Sequence, residues 1–126
     1  MKKDELNSLT YEIDILKLCQ HPYIIELKDL FEDDRKYYLV QEYVSGGSLF
    51  EYLGARRAVH LKEALIKQLV YQIADALLYL KNHGIIHRDL KPDNIMLASP
   101  IDTKDHDTKP HLKLVDFGLS TILGPT

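Results

Sequence analysis

The chain has 126 residues, 45% of them apolar, which suffices for one compact domain with a core of its own. Its net charge of −3 excludes the strongly basic field that would hold nucleic acid or an anionic membrane surface. Cys19 is the only cysteine, the N-terminus lacks a signal-peptide pattern, and no apolar run reaches the ~18 residues of a membrane span. We therefore expect a cytoplasmic protein.

The first predicted element is an amphipathic helix over residues 7–20, where apolar residues recur at helical spacing. Asn7 or Ser8 is suited to cap its start. Pro22 is expected to end the helix, because the residue before a proline is excluded from helical geometry.

Two strands are predicted after this helix. The first covers residues 24–27 and continues toward residue 31, and the second covers residues 37–43. Acidic and basic residues fill positions 32–36 between them, so the two strands are predicted to form a hairpin.

Two helices are predicted next. Ser48, with Glu51 three residues later, has the spacing of a capping box, so a short helix should begin there and end at Gly54. From residue 61 to 81 apolar residues recur four apart, which predicts a long, largely buried helix that residues 82–84 stop.

Short β-prone segments complete the chain at residues 85–86, 94–97 and 111–115. The polar stretch at 99–110 is predicted to be a solvated loop extension. A metal site is the alternative, but these side chains lack close ligand spacing: Asp102, Asp105, His106, Asp107 and His111. The order of elements, without a repeat or a second domain, predicts the α+β class.

The segment with the most chemical information is residues 87–94, His-Arg-Asp-Leu-Lys-Pro-Asp-Asn. It contains every fixed residue of the H-R-D-L-x-x-x-N loop of protein kinases. Asp-Phe-Gly follows at 116–118, after a predicted strand. The tripeptide alone is a weak signal, but downstream of this loop it indicates a phosphoryl-transfer site.

The residue types fit that chemistry, in which the protein mainly positions the reactants and neutralises phosphate charge. Asp89 provides a carboxylate that orients a substrate hydroxyl and accepts its proton. Lys91 provides a compact positive charge for the transferred phosphoryl group. Asn94 and Asp116 provide oxygen ligands of the kind that Mg²⁺ prefers.

On these motifs the chain resembles the eukaryotic-type protein kinase family over nearly its whole length. Lys91, two residues after the catalytic aspartate, is similar to the Ser/Thr kinase pattern rather than to the tyrosine kinase one. The resemblance implies a partial kinase fold. Residues 1–41 would belong to the N-lobe, residues 42–47 would form the hinge, and residues 48–126 would begin the C-lobe.

The resemblance also implies a nucleotide site. Gln41 matches the gatekeeper, the backbone of Glu42 and Val44 matches the hinge that holds the adenine edge, and Met96 matches the apolar residue beneath adenine. The implied cofactors are ATP and Mg²⁺. The implied partner is a protein substrate with a Ser or Thr hydroxyl.

Further positions match the family less specifically. Glu12 falls where a helix glutamate pairs with a strand lysine. Four residues match the family's stacked regulatory spine, although ordinary core residues would fit equally well: Leu16, Leu27, His87 and Phe117. Residues 46–50 and the turn at 33–34 are most similar to the calcium/calmodulin-dependent kinase group.

The sequence departs from the family in four ways. It contains no G-x-G-x-x-G loop and no V-A-I-K strand, so the lysine partner of Glu12 is missing. It ends soon after the Asp-Phe-Gly motif, and Ser48 stands where an acid is common. We therefore expect an ATP-dependent Ser/Thr kinase by family, present as a fragment that is inactive alone. The alternative is a non-catalytic kinase-like binding module.

Overall fold

The computed structural model describes residues 3–55, 62–101, 109–117 and 121–122. Helices and small antiparallel sheets are mixed along the chain, which confirms the α+β class. The elements are α1 (Lys3–Leu18), β1 (Leu27–Glu32), β2 (Tyr37–Gln41), α2 (Leu49–Ala55), α3 (Glu63–Asn82), β3 (Ile85–Ile86), a 3₁₀ turn (Pro92–Asn94), β4 (Ile95–Leu97), β5 (Leu112–Leu114) and β6 (Thr121–Ile122).

Helix α1 begins at Lys3, so the predicted start at residue 7 and its cap at Asn7 or Ser8 were wrong. Residues 3–6 include good helix formers, so the helix begins before Asn7 and Ser8, and neither of these residues caps it. The helix ends at Leu18, before the predicted boundary, although the Cys19 amide still donates to the Ile15 carbonyl at 3.0 Å.

The predicted first strand was placed too early. The hairpin strand β1 begins at Leu27, whereas Ile24 forms an isolated parallel bridge to Leu114 of β5. The Ile25 amide donates to the Leu114 carbonyl at 3.0 Å, and the Leu114 amide donates to the Tyr23 carbonyl at 2.8 Å. The apolar residues 24–25 therefore join the core beside β5 instead of extending the hairpin.

The predicted hairpin turn is confirmed. The Asp33 amide donates to the Lys36 carbonyl at 2.9 Å, and Asp33 Oδ1 accepts the amides of Arg35 and Lys36. These hydrogen bonds lower the pKa of the Asp33 carboxyl, the bond from Arg35 most strongly. The second strand ends at Gln41, two residues before the predicted end.

The helix caps agree with the sequence at the start of α2 and differ at its end. Ser48 Oγ accepts the Glu51 amide at 3.0 Å, as the capping pattern predicted. Gly54 lies inside α2 and does not close it. The long helix α3 is confirmed within two residues at its start, and Gly84 follows its end with a φ of 69°.

Three two-stranded antiparallel sheets pair β1 with β2, β3 with β6, and β4 with β5. The buried core joins the ends of α1 and β5 to the inner face of α3, where Leu69, Ala76 and Leu80 are buried. This packing holds β5 and the loop after β3 in fixed positions. Among the described helices, none is both long enough and apolar enough to cross a membrane.

Candidate active site

The loop that follows β3 is anchored by His87, which is buried. Its Nε2 donates to the Val115 carbonyl at 3.0 Å, and its Nδ1 accepts the Asp89 amide at 3.2 Å. This pairing requires the tautomer that carries its proton on Nε2. Arg88 between them has a φ of 71°, a conformation that turns the chain sharply and presents Asp89.

Three of the predicted catalytic residues lie together. The Asn94 side-chain amide donates to Asp89 Oδ2 at 3.0 Å and to the Asp89 carbonyl at 2.9 Å. Lys91 Nζ lies 3.6 Å from Asp89 Oδ1. Asp89 is therefore oriented from one side by an amide and paired on the other with an ammonium group. Because this ion pair is half-exposed, it orients more than it stabilises.

The two predicted Mg²⁺ ligands are brought together by the β4–β5 pair. Ile95 lies opposite Leu114 in this pair, so Asn94 and Asp116 come from the same end of the sheet. The Val115 amide, next to Asp116, donates to the Asn94 carbonyl at 3.1 Å. Asp116 is exposed and has a φ of 59°. The third residue of its motif, Gly118, lies outside the described residues.

The donor set fits Mg²⁺. The Asn94 Nδ2 group is committed to Asp89, which leaves Oδ1 as the atom suited to a cation. One amide oxygen and one carboxylate are typical of Mg²⁺ sites, because this ion keeps waters and shares phosphate oxygens. No group of three or more His, Cys, Asp or Glu within the described part of the chain is arranged to hold a metal.

His111 is the candidate ligand of the alternative metal site that lies among the described residues, and its contact does not support that site. Its Nε2 donates to the Pro22 carbonyl at 2.7 Å. The other candidate ligands lie outside the described residues: Asp102, Asp105, His106 and Asp107.

The predicted hinge follows β2. The Glu42 amide donates to the Glu26 carbonyl at 2.9 Å, and Glu42 Oε1 accepts the Glu26 amide at 2.9 Å. The amide and the carboxylate of Glu42 thus both pair with Glu26, the residue before β1, and among the described residues its carbonyl accepts no backbone hydrogen bond. Val44 is half-buried, and its amide donates to no other backbone group among the described residues. Gln41, the predicted gatekeeper, is exposed at the end of β2.

Met96 lies beside the chain that leaves the hinge. Ser48 forms an antiparallel bridge with Met96, and the Gly46 and Leu97 amides donate to the Leu97 and Gly47 carbonyls, at 2.9 and 2.8 Å. A Cβ on Gly46 would approach the Ser99 carbonyl oxygen to 2.5 Å, so only glycine fits there. The close contact at Gly46 holds the predicted hinge segment against β4. The half-buried Met96 of β4 therefore lies next to this segment.

Sequence reasoning missed one residue that touches the hinge. Lys113 of β5 places its Nζ 3.1 Å from Glu42 Oε1, and both side chains are largely buried. The signal was present in strand alternation: Lys113 stands between the buried Leu112 and Leu114, so its side chain leaves the core on the hinge side.

Glu12 lies near Asp116. Its pKa is raised, first by burial and then by the charge of Asp116. Among the described residues, no lysine or arginine forms an ion pair with Glu12. Of the spine residues, His87 and Phe117 are in contact, with ring centroids 4.9 Å apart, and Leu16 is buried in the same core as Phe117.

Comparison with known proteins gives a consistent result. The model of the protein kinase domain family matches residues 1–126. The chain is 39% identical over 125 residues to serine/threonine-protein kinase ULK3 of Homo sapiens and 42% identical over 124 residues to myosin light chain kinase A of Dictyostelium discoideum. It is 38% identical over 119 residues to serine/threonine-protein kinase RAD53 of Saccharomyces cerevisiae.

These matches cover 99%, 98% and 94% of the chain, in that order. The chain spans only 25%, 39% and 13% of the respective relatives. The prediction of the calcium/calmodulin-dependent group is not confirmed by them.

Proposed function

Because the chain belongs to the protein kinase domain family, we propose that it carries the catalytic loop, the metal ligands and the hinge of a Ser/Thr kinase. The reaction would transfer a phosphoryl group from ATP to a Ser or Thr hydroxyl of a protein substrate. The observation that carries the proposal is the unit of Asp89, Lys91 and Asn94, with Asp116 at the same end of the β4–β5 pair.

The contacts of each residue support the role that we propose for it. Asp89, oriented by Asn94, accepts the proton of the substrate hydroxyl. Lys91 lies on the other side of that carboxylate and stabilises charge on the transferred group. Asn94 Oδ1 and the Asp116 carboxylate would hold Mg²⁺, which when bound neutralises phosphate charge.

The hinge would hold adenine through the Glu42 carbonyl and the Val44 amide, with Met96 against the ring face. The pairs from Glu42 to Glu26 and to Lys113 support this assignment, because they leave the Glu42 carbonyl as its unpaired polar group among the contacts found. We divide the chain at this segment, with residues 1–41 before the hinge at 42–47 and residues 48–126 after it.

Titration of the ¹⁵N-labelled chain with ATP tests this assignment by NMR. With Mg²⁺, shifts are expected at Val44 and Met96. With Mn²⁺ in its place, the side-chain amide of Asn94 should broaden, because a paramagnetic ion would lie next to its Oδ1. Asp116→Ala should abolish both effects, while Asp93→Asn, an exposed neighbour in the same turn, should leave them unchanged. ATP shifts that are indifferent to Asp116→Ala would overturn the assignment.

For the 126-residue chain in isolation we propose weak binding. Ligand pockets normally bury ~70–90% of a small molecule, and the sequence provides no glycine-rich loop to cover the phosphates. A neutral hydrogen bond contributes only about 0.5–1.5 kcal/mol, so the hinge cannot compensate. We expect ATP affinity weaker than ~1 mM and no measurable peptide phosphorylation. Phosphate transfer from labelled ATP that disappears in Asp89→Asn would contradict this.

A second candidate function is a non-catalytic kinase-like binding module. The environment of Glu12 favours it, because a half-buried carboxylate near Asp116 without a cation among the described residues weakens a phosphate site. The two functions differ in one measurement. Only the catalytic function requires that a longer chain containing these residues transfers phosphate from ATP and loses that activity when Asp89 is substituted.

A further inference from the structure

A groove of about 620 Å³ lies along α3, away from the proposed active site. One wall is the part of α3 that carries Lys67 and Tyr71, and the rest of the lining comes from residues 22–23 and 109–111. None of the residues assigned to catalysis, metal or nucleotide lines it. The groove is therefore distinct from the proposed phosphoryl-transfer site.

The floor of the groove is preformed. Gln72 is 7% exposed; its Nε2 donates to the Pro110 carbonyl at 2.8 Å, and its Oε1 accepts the Leu112 amide at 2.9 Å. These bonds lock α3 to the segment that enters β5. Because the floor donor and acceptor are both engaged, a ligand must be recognised at the walls and rim instead.

The rim is cationic. Lys67 and Lys109 are exposed, and no acidic residue is among the described residues that line the groove. Lys67 Nζ lies 3.3 Å from Glu63 Oε1, but the side chains are 75% and 83% exposed, and such a pair contributes little. On a chain of net charge −3, a rim whose charges are all positive among the described residues indicates a negatively charged ligand.

The walls are aromatic. Tyr71 is 66% exposed, and the half-buried Tyr23 packs edge-on against His111, with ring centroids 5.4 Å apart. Tyrosine is enriched at protein interfaces, where its ring supplies apolar contact area. A small anion would need converging donors, which this floor does not offer, whereas a peptide gains apolar contact with the ring.

We propose that this groove binds an acidic segment of a partner protein. An apolar side chain of the segment packs on Tyr71, and its carboxylates lie near Lys67 and Lys109. The association should weaken with salt, because the charges are exposed.

Fluorescence anisotropy with a fluorescein-labelled peptide of alternating glutamate and leucine tests the proposal, with a glutamine-for-glutamate peptide as the neutral probe. The acidic peptide should bind the 126-residue chain and the neutral one should not. Lys67→Gln combined with Lys109→Gln should weaken binding at least about fivefold, as should Tyr71→Ala. The matched control, Lys36→Gln with Lys81→Gln, removes the same charge outside the groove and should have no effect.

Three results would overturn the proposal. The first is equal binding of both peptides, or equal loss in the groove and control variants. The second is binding of the acidic peptide that does not weaken as the salt concentration is raised. The third is sedimentation showing a dimer that Tyr71→Ala dissociates and Val70→Glu does not, which would assign the groove to a second copy.

Discussion

The side-chain amide of Asn94 donates to both the carboxylate and the backbone carbonyl of Asp89, which makes the proposed metal ligand and the proposed base one structural unit. Asn94 is also nearly buried, at 7% exposure. A side chain that orients the base and carries a ligand oxygen should therefore matter for stability as well as for chemistry.

Asn94→Ala should lower the free energy of unfolding by about 1–3 kcal/mol, since it removes two hydrogen bonds to Asp89 and leaves acceptors without their donor. Urea denaturation followed by circular dichroism measures the change. Asp93→Ala, exposed in the same 3₁₀ turn, is the control and should be near neutral. Equal effects of the two substitutions would show that the bonds to Asp89 contribute nothing.

Two glycines should respond in opposite directions to alanine. At Gly46 a Cβ would lie 2.5–2.6 Å from backbone and side-chain atoms of Ser99 and Leu97, so Gly46→Ala should destabilise by about 1–3 kcal/mol. At Gly54, inside α2, nothing lies within 4 Å, and alanine should stabilise by about 0.5–1 kcal/mol. Thermal melts of the two variants against the parent give both signs in one experiment.

Gln72→Leu should destabilise the chain, although leucine suits a buried helix position. It would leave the Pro110 carbonyl and the Leu112 amide without partners, at about 1–3 kcal/mol for each buried group. Gln68→Leu, one turn earlier and exposed, should change stability by less than about 0.5 kcal/mol. The midpoint of urea unfolding compares them.

Cys19 should resist alkylation in the folded chain. Burial raises the pKa of its thiol to about 11 from the ordinary value of 9.0, so the reactive thiolate is about 100-fold rarer near pH 8. Iodoacetamide labelling followed by mass spectrometry should be slow in buffer and fast in urea. Equal rates would mean that the core around Cys19 opens freely.

The same shift sets a pH dependence. The folded pKa lies above the unfolded one, so the native state keeps the proton between about pH 9 and 11 while the unfolded chain loses it. The contribution to stability is full below pH 9 and falls as the pH rises through 11. Cys19→Ser should reduce this alkaline decline in denaturation midpoints.

The outer face of α3 should drive self-association. Ile66, Val70 and Leu78 are 42%, 58% and 53% exposed, an apolar patch that water solvates poorly. Sedimentation velocity should show concentration-dependent association that Val70→Glu and Leu78→Glu reduce. Asn82→Glu adds the same charge at the end of the helix and should not. A monodisperse monomer at high concentration would contradict the prediction.

Much of the site was predictable because motif residues lie close in sequence or flank strands. Asn94 of the predicted loop and Asp116 of the second motif come to the same end of one sheet because β4 and β5 pair, and the alternation of apolar residues identifies both strands. The cap at Ser48 and the hairpin turn at Asp33 are local features, so local residues determine them.

The sequence-based predictions were wrong or incomplete where contacts between residues distant in sequence determine the structure. Ile24 was assigned to the hairpin, but it pairs with Leu114, a partner that local pattern cannot reveal. Gln72 was hidden in an apolar helix pattern and proved to be a link between α3 and β5. Strand alternation placed the Lys113 side chain outside the core, but it could not identify the partner, Glu42, which approaches only in the folded chain.

The short strand β5 helps to set the distance between the two ends of the proposed nucleotide site. Lys113 pairs with Glu42 of the predicted hinge, and Asp116 follows it by three residues, two positions after the end of β5, so the backbone between them spans at most about 10 Å. One short piece of backbone thus positions both the nucleobase end and the phosphate end of the proposed site. An insertion or deletion between Lys113 and Asp116 would change the distance between these two ends, and with it the length of ligand that they can hold together.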